Sequence, residues 1–385
     1  MREYLDTILS AVRLFPLVAL LITLPYMIVQ YHRYGAVLLL RTVIVYSFVF
    51  YLMCTALLTI LPIPATASDA ISQRQQPQFI PLTALRRWVE VTGFSLSDPS
   101  TWKDAFLSRS AFYIVANVVM MVPLGMYLRY YFDFSFGKTA VAAFGFSLIL
   151  ELIQLSGLFG LSPVAYRMFD VDDIITNTLG GILGFWISRP LLRRLPTQQA
   201  LSGIAYRKGR HVSFLRRATA ALVDWLVLGG LLALALFVFA PLRRHLLDVG
   251  WKWRLLAAVG LYAAAVLLYF ILGEWLGKGR TIGKRITHLR SADSRTEAPP
   301  RFLQLLVKYA FLYFGYPSIP LVAVLLLIVV VKKYLLESRL FTTGFLLMAL
   351  YGAAILLAVL RALARDGQLP HTAWSRLRVI NTLKE

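Results

Sequence analysis

The sequence predicts an all-α, polytopic transmembrane helical bundle of about nine spans in two modules, and three observations carry that reading. Hydrophobic residues fill 58% of the 385 positions and charged residues only 15%, against about 25% charged in an average soluble domain. The charges are unevenly spread, so several runs of roughly 18 or more apolar residues carry none, the length that crosses a hydrocarbon core. Lys and Arg, which give a net charge of +21, collect in the connections between those runs. That placement suits anionic headgroups and topology control. It makes membrane lipids the expected partners and excludes nucleic acid.

The spans are expected near 12–31, 38–61, 111–128, 139–157, 173–189, 218–240, 255–273, 303–331 and 342–360. The first contains Pro16 and Pro25 and is not followed by a small-x-small cleavage site, so it reads as a retained helix. The eighth is interrupted by GYPSIP at 315–320 and is either one kinked helix or two short ones, because proline removes a backbone donor. The larger share of Lys and Arg precedes the even-numbered spans or lies in the tail, with 189–217 and 278–308 the richest stretches. The positive-inside rule then puts the N-terminus outside and the C-terminus in the cytoplasm. The connection 62–109, rich in Pro, Gln, Ser and Asp, falls outside. The polar, basic stretch 193–217 reads as a cytoplasmic linker. The expected organisation is therefore an N-terminal segment 1–36, a first membrane module 37–192, that linker, and a second module 218–385.

In the first module Asn117 and Pro123 interrupt the apolar run NVVMMVPLG, and Glu151 and Gln154 share one side of the fourth span. Arg167 and Asp170 follow in RMFDVDDIITNTLGGILG. A helix starting by Asp170 aligns Asp170, Asp173, Asn177, Gly180 and Gly184 on one stripe, acidic at its outer end and glycine-lined deeper in, where a neighbouring helix could approach closely. Two readings stand: polarity that serves helix packing or a salt-bridge lock, and a recess at the membrane rim where ionisable groups converge for function. NVVMMVPLG, ELIQ and RMFDVDDIITNTLGG, in that order, resemble the VanZ-like family over about 40–190. The resemblance implies a cell-envelope role associated with teicoplanin resistance, in a bacterial-type plasma membrane, and supplies no reaction.

The second module opens with Arg217 and Asp224, seven residues apart on one helical face. Asp224 lies inside the apolar run, where a carboxylate costs about 2.5–3.5 kcal/mol unless partnered or protonated. It is either functional or half of a buried ion pair that fixes packing. EWLGKGRTIGKRI does not form a phosphate loop, because Lys278 and Arg285 stand where Gly and Ser or Thr are required. Lys278, Arg280, Lys284 and Arg285 read instead as a basic elbow on the headgroups, with Gly279 and Gly283 allowing tight turns. Arg217, Asp224 and GRTIGKRI resemble the RDD family over about 208–381. The family's second aspartate is replaced by Thr372, and an ion-exchange role that the resemblance implies is thereby weakened.

No metal site is expected from the single Cys54 and five scattered histidines, and no cofactor loop is present. The favoured function is binding of a glycopeptide-like or lipid-linked envelope ligand at the outer face by Asn117, Glu151, Gln154, Arg167, Asp170, Asp173 and Asn177. The alternative is a small-solute or ion transporter using Arg217 and Asp224. An intramembrane enzyme pairing Glu151 with Asp173 lacks a nucleophile motif and ranks last.

Overall fold

A computed structural model of the chain describes residues 2–61, 77–160, 169–238, 250–316, 346, 350–357, 360–361 and 370–383. It is an all-α membrane bundle with one small strand pair. The helices are α1 (Arg2–Tyr34), α2 (Leu39–Ile60), α3 (Thr83–Thr92), α4 (Arg109–Tyr130), α5 (Phe136–Leu155), α6 (Val171–Leu192), α7 (Gln198–Gly209), α8 (Phe214–Val238), α9 (Trp251–Ala265), α10 (Ile282–Ile286), α11 (Phe302–Ala310) and α12 (Pro370–Trp374). Strands β1 (Leu289–Asp293) and β2 (Leu377–Asn381) pair antiparallel, with Ser291 opposite Val379.

Six helical stretches among the described residues are long and apolar enough to cross a membrane: Asp6–Tyr34, Leu39–Ile60, Arg109–Tyr130, Phe136–Leu155, Phe214–Ala235 and Lys252–Leu276. The expected span 173–189 lies within the 22-residue α6. The eighth is described only as α11 and a π-helical turn, Phe311–Gly315. Whether 302–331 is one helix or two lies outside the described residues, as does most of the ninth span. Large apolar side chains such as Leu20, Val141 and Phe237 point outward at 71–81% exposure, as side chains solvated by lipid must. The chain is a multi-pass membrane protein.

Two compact units emerge: unit 1 comprises 1–22 with 38–202, and unit 2 comprises 23–37 with 203–385. The stretch 193–217 is not a loop. Gln198–Gly209 is helical, with Leu201 and Ala205 buried, because its small and apolar residues recur at helical spacing inside a polar segment.

Unit 1 is built on the α4–α6 pair, which meets backbone to backbone. A Cβ on Gly184 would lie 2.0 Å from the Val122 carbonyl oxygen, one on Gly180 2.1 Å from that of Val118, and one on Gly125 1.9 Å from that of Gly181. Only glycine permits such approach. α5 packs on the same pair through Ala143, fully buried beside Gly181. Ahead of α4, Trp88 of α3 packs against Phe94 at 4.7 Å between ring centroids and donates to the Ala105 carbonyl at 2.9 Å.

Unit 2 centres on Leu228, Val266, Phe270, Leu305, Tyr309 and Leu377. α9 continues as a π-helix, Val266–Leu272, and Phe270 there meets Tyr309 and Tyr313, which stack at 4°.

Candidate functional site

In unit 1 a cavity of about 1060 Å³ is lined by side chains from α2, α3, α4, α5 and α6 and from the segment that precedes α6. Its mouth includes Phe112, Tyr113, Val115 and Val119, outward-facing residues of α4 that are 52–60% exposed. Since α4 is a membrane span, the cavity opens toward lipid on that side.

The polar end is assembled by capping. Asp170 is the N-cap of α6, accepting the Asp172 N–H at 2.8 Å. Gln78 pairs with its backbone in a parallel bridge. The buried Glu151 accepts the Asp170 N–H at 2.9 Å, so α5 and the start of α6 are joined by a charge-assisted bond. Asp172, also buried, reaches the other way: its two oxygens accept from Leu82 N at 2.5 Å and Ala84 N at 2.6 Å, closing the N-terminus of α3 over the cavity. Asn117 donates to Asp173 at 2.5 Å. Gln154 donates to the Thr59 carbonyl at 3.1 Å. Asn177 donates to Ser147 at 2.9 Å, while its Oδ1, although buried, accepts no hydrogen bond among the described residues.

Six of the seven residues expected to bind ligand therefore line one cavity: Asn117, Glu151, Gln154, Asp170, Asp173 and Asn177. Arg167 lies outside the described residues. Among the described residues that line the cavity the cation is Arg87 on α3, which the sequence alone did not single out. Burial and the neighbouring Asp172 carboxylate push the Asp170 carboxyl up from its ordinary value, against the opposing pull of the Asp172 N–H and of Arg87. The single expected stripe divides between two neighbours. Asp173, Gly180 and Gly184 face α4, whereas Asn177 turns to Ser147 on α5.

In unit 2 the fully buried arginine is Arg216, not Arg217. Its guanidinium donates to the Gly209, Thr287 and His288 carbonyls and to Asn381 at 2.8–3.2 Å. Arg217 is half-buried, 5.9 Å over the Phe214 ring. One register step explains the difference, since helix packing selects the residue that faces the carbonyls and the sequence offers two adjacent arginines. Asp224 is buried and fully engaged, accepting from Tyr269 at 2.8 Å, Thr281 at 2.6 Å and the Gly283 N–H at 2.7 Å. These donors satisfy a carboxylate whose burial would otherwise be prohibitive.

The basic elbow divides as well. Lys278, Arg280 and Arg285 are exposed, but Lys284 points inward, 2.5 Å from the fully buried Glu274. Lys308 approaches the same carboxylate at 3.6 Å, both ammoniums bond Ser291, and Tyr309 donates to Glu274. Gly279 does turn, with φ +89, whereas Gly283 is helical and serves close packing, its Cβ position 2.0 Å from the Ala220 carbonyl oxygen.

These two arrangements fall in two recognisable segments. Residues 48–193 match the VanZ/LLP1 family model, and residues 211–370 match the RDD family model. No curated protein and no solved structure matches the chain. The VanZ/LLP1 segment contains all the residues that line the unit 1 cavity, and the RDD segment contains Asp224, Glu274, Lys284 and Lys308. The RDD match stops one residue before His371, so Thr372, buried beside it, lies beyond the matched segment.

Proposed function

We propose that the VanZ/LLP1 segment binds an amphiphilic envelope ligand, glycopeptide-like or lipid-linked, at the outer face of a bacterial-type plasma membrane, in the manner of a teicoplanin-resistance protein. The orientation belongs to the proposal: N-terminus outside, C-terminus in the cytoplasm. What supports the reading is the cavity itself, with the Glu151, Asp170 and Asp173 carboxylates and the unpartnered Asn177 Oδ1 at one end and apolar α4 side chains at the other. Carboxylates and an amide carbonyl accept from hydroxyl and ammonium groups, Arg87 suits an anionic substituent, and the apolar mouth suits a hydrocarbon tail. No step of bond making or breaking is included.

The transporter alternative rests on an Asp224 carboxylate open to solute or ion, and the three short hydrogen bonds to that carboxylate favour a packing role. The test is teicoplanin susceptibility of a host expressing Glu151→Gln or Asp173→Asn at the wild-type membrane level. Both variants are expected to behave as a host lacking the protein. Wild-type susceptibility in both would reject the binding site.

A further inference from the structure

A second cavity, about 430 Å³, lies in unit 2 between the turn after β1, the start of α11 and the residues entering β2. Three guanidiniums line it: Arg295, Arg301 and Arg376, all exposed. Among the described residues of its lining the only carboxylate, Asp293, is already occupied. Its Oδ1 accepts the Arg295 and Thr296 N–H groups at 2.9 and 3.1 Å, and its Oδ2 accepts from Gln304 at 2.7 Å. Among the described residues no carboxylate is hydrogen-bonded to any of the three guanidinium groups. Elsewhere in the chain, the exposed Arg86 pairs with Glu90 and the half-buried Arg378 with Glu297.

The same lining has an apolar part. Leu303 and Trp374 are 67% and 59% exposed beside the arginines. Leu303 belongs to the short apolar helical stretch Phe302–Gly315, which follows the polar residues 293–301. An exposed tryptophan at that level is characteristic of the headgroup region.

We propose that this cavity holds the phosphate of an anionic phospholipid. Arg295, Arg301 and Arg376 would take the phosphate oxygens through paired N–H donors, and Leu303 and Trp374 would lie along the first methylenes of the acyl chains. The headgroup replaces the missing counter-charge and ties the β1 turn, α11 and the β2 entry together. The shared chemistry is a phosphate ester, and the apolar rim assigns it to a lipid rather than to a soluble ester.

Full-length protein in a zwitterionic detergent, melted with added dioleoyl phosphatidylglycerol, dioleoyl phosphatidylcholine or glycerol 3-phosphate, separates the sources. Phosphatidylglycerol alone is expected to raise the melting temperature. In Arg301→Gln/Arg376→Gln its half-saturating concentration is expected to rise about 30-fold, since each surface arginine is worth about 1 kcal/mol toward an anionic lipid. Arg86→Gln, which removes an exposed arginine elsewhere, is expected to leave it unchanged. An equal rise with glycerol 3-phosphate would keep the phosphate-ester site and overturn its assignment to lipid. No rise with phosphatidylglycerol, or a rise that the double variant keeps, would overturn the site. Should the double variant lose its unliganded melting transition, Arg376→Gln alone, on the turn before β2, is read in the same way.

Discussion

The two units hold their membrane-level carboxylates in opposite ways. In unit 2, Asp224 and Glu274 are enclosed, and each meets a full set of donors: two hydroxyls and an N–H around Asp224, two ammoniums and a phenol around Glu274. In unit 1, Glu151, Asp170 and Asp173 each take a hydrogen bond yet still line an open cavity, and Asn177 keeps an unused acceptor. A polar group inside a membrane is costly in either case. The cost alone therefore does not distinguish a site from a strut. What distinguishes them among the described residues is that the unit 1 groups line a cavity and include a buried acceptor, Asn177 Oδ1, that no donor reaches.

The largest effect should come from opening the closed network. Glu274→Gln leaves two buried ammoniums without their anion, and breaking a buried ion pair from one side costs about 3–5 kcal/mol. Thermal unfolding in detergent reads it, with Glu90→Gln, at the exposed pair with Arg86, expected within about 1 kcal/mol of wild type. Equal losses in the two variants would show that the enclosed network carries no special weight.

Next comes Gly184→Val. The added Cβ must displace the Val122 carbonyl, a backbone atom, so α4 and α6 have to separate; overpacking of this kind costs about 1–3 kcal/mol. Gly137→Val on α5 meets open space and should lose much less. Because α4 and α6 also form two walls of the cavity, Gly184→Val should weaken ligand binding together with stability.

An effect of similar size, spread over pH, arises in unit 2. Burial, with Lys308, Arg217 and Lys284 adding to it, pushes the His371 imidazole down to about 4. An unfolded chain has its histidine near 6.5, so between those values the unfolded state binds the proton and the folded state does not. Stability is therefore complete above about pH 6.5 and falls by about 1 kcal/mol per unit as pH drops through that window. His371→Gln should flatten this part of the profile; an unchanged slope would assign it to another group.

The spans were legible in one dimension. Apolar length alone placed 38–61 on Leu39–Ile60, 111–128 inside Arg109–Tyr130 and 139–157 against Phe136–Leu155. Glycines spaced along one stripe anticipated the α4–α6 contact. Partners distant in sequence were not legible. Asp172 escaped notice because its acceptor role is to the N–H groups of Leu82 and Ala84, some ninety residues away, and backbone donors leave no mark in a sequence. Glu274, Lys284 and Lys308 sit at span ends, where charge ordinarily signals topology, and only the fold turns them toward one another. Arg216 and Arg217 are chemically identical neighbours that packing alone can separate.

The smallest stability effect sharpens the comparison most. Asp173→Asn keeps an oxygen where Asn117 donates, so a charge-assisted hydrogen bond becomes a neutral one in a half-buried position, a change of about 1 kcal/mol or less. A strut would register that loss in unfolding and nowhere else. A binding carboxylate loses its charge toward the ligand while the fold scarcely responds, so teicoplanin susceptibility should shift with the melting temperature nearly unmoved. If Asp173→Asn instead melts as early as Glu274→Gln, unit 1 is held together by its acids in the same way as unit 2, and the cavity is a by-product of packing.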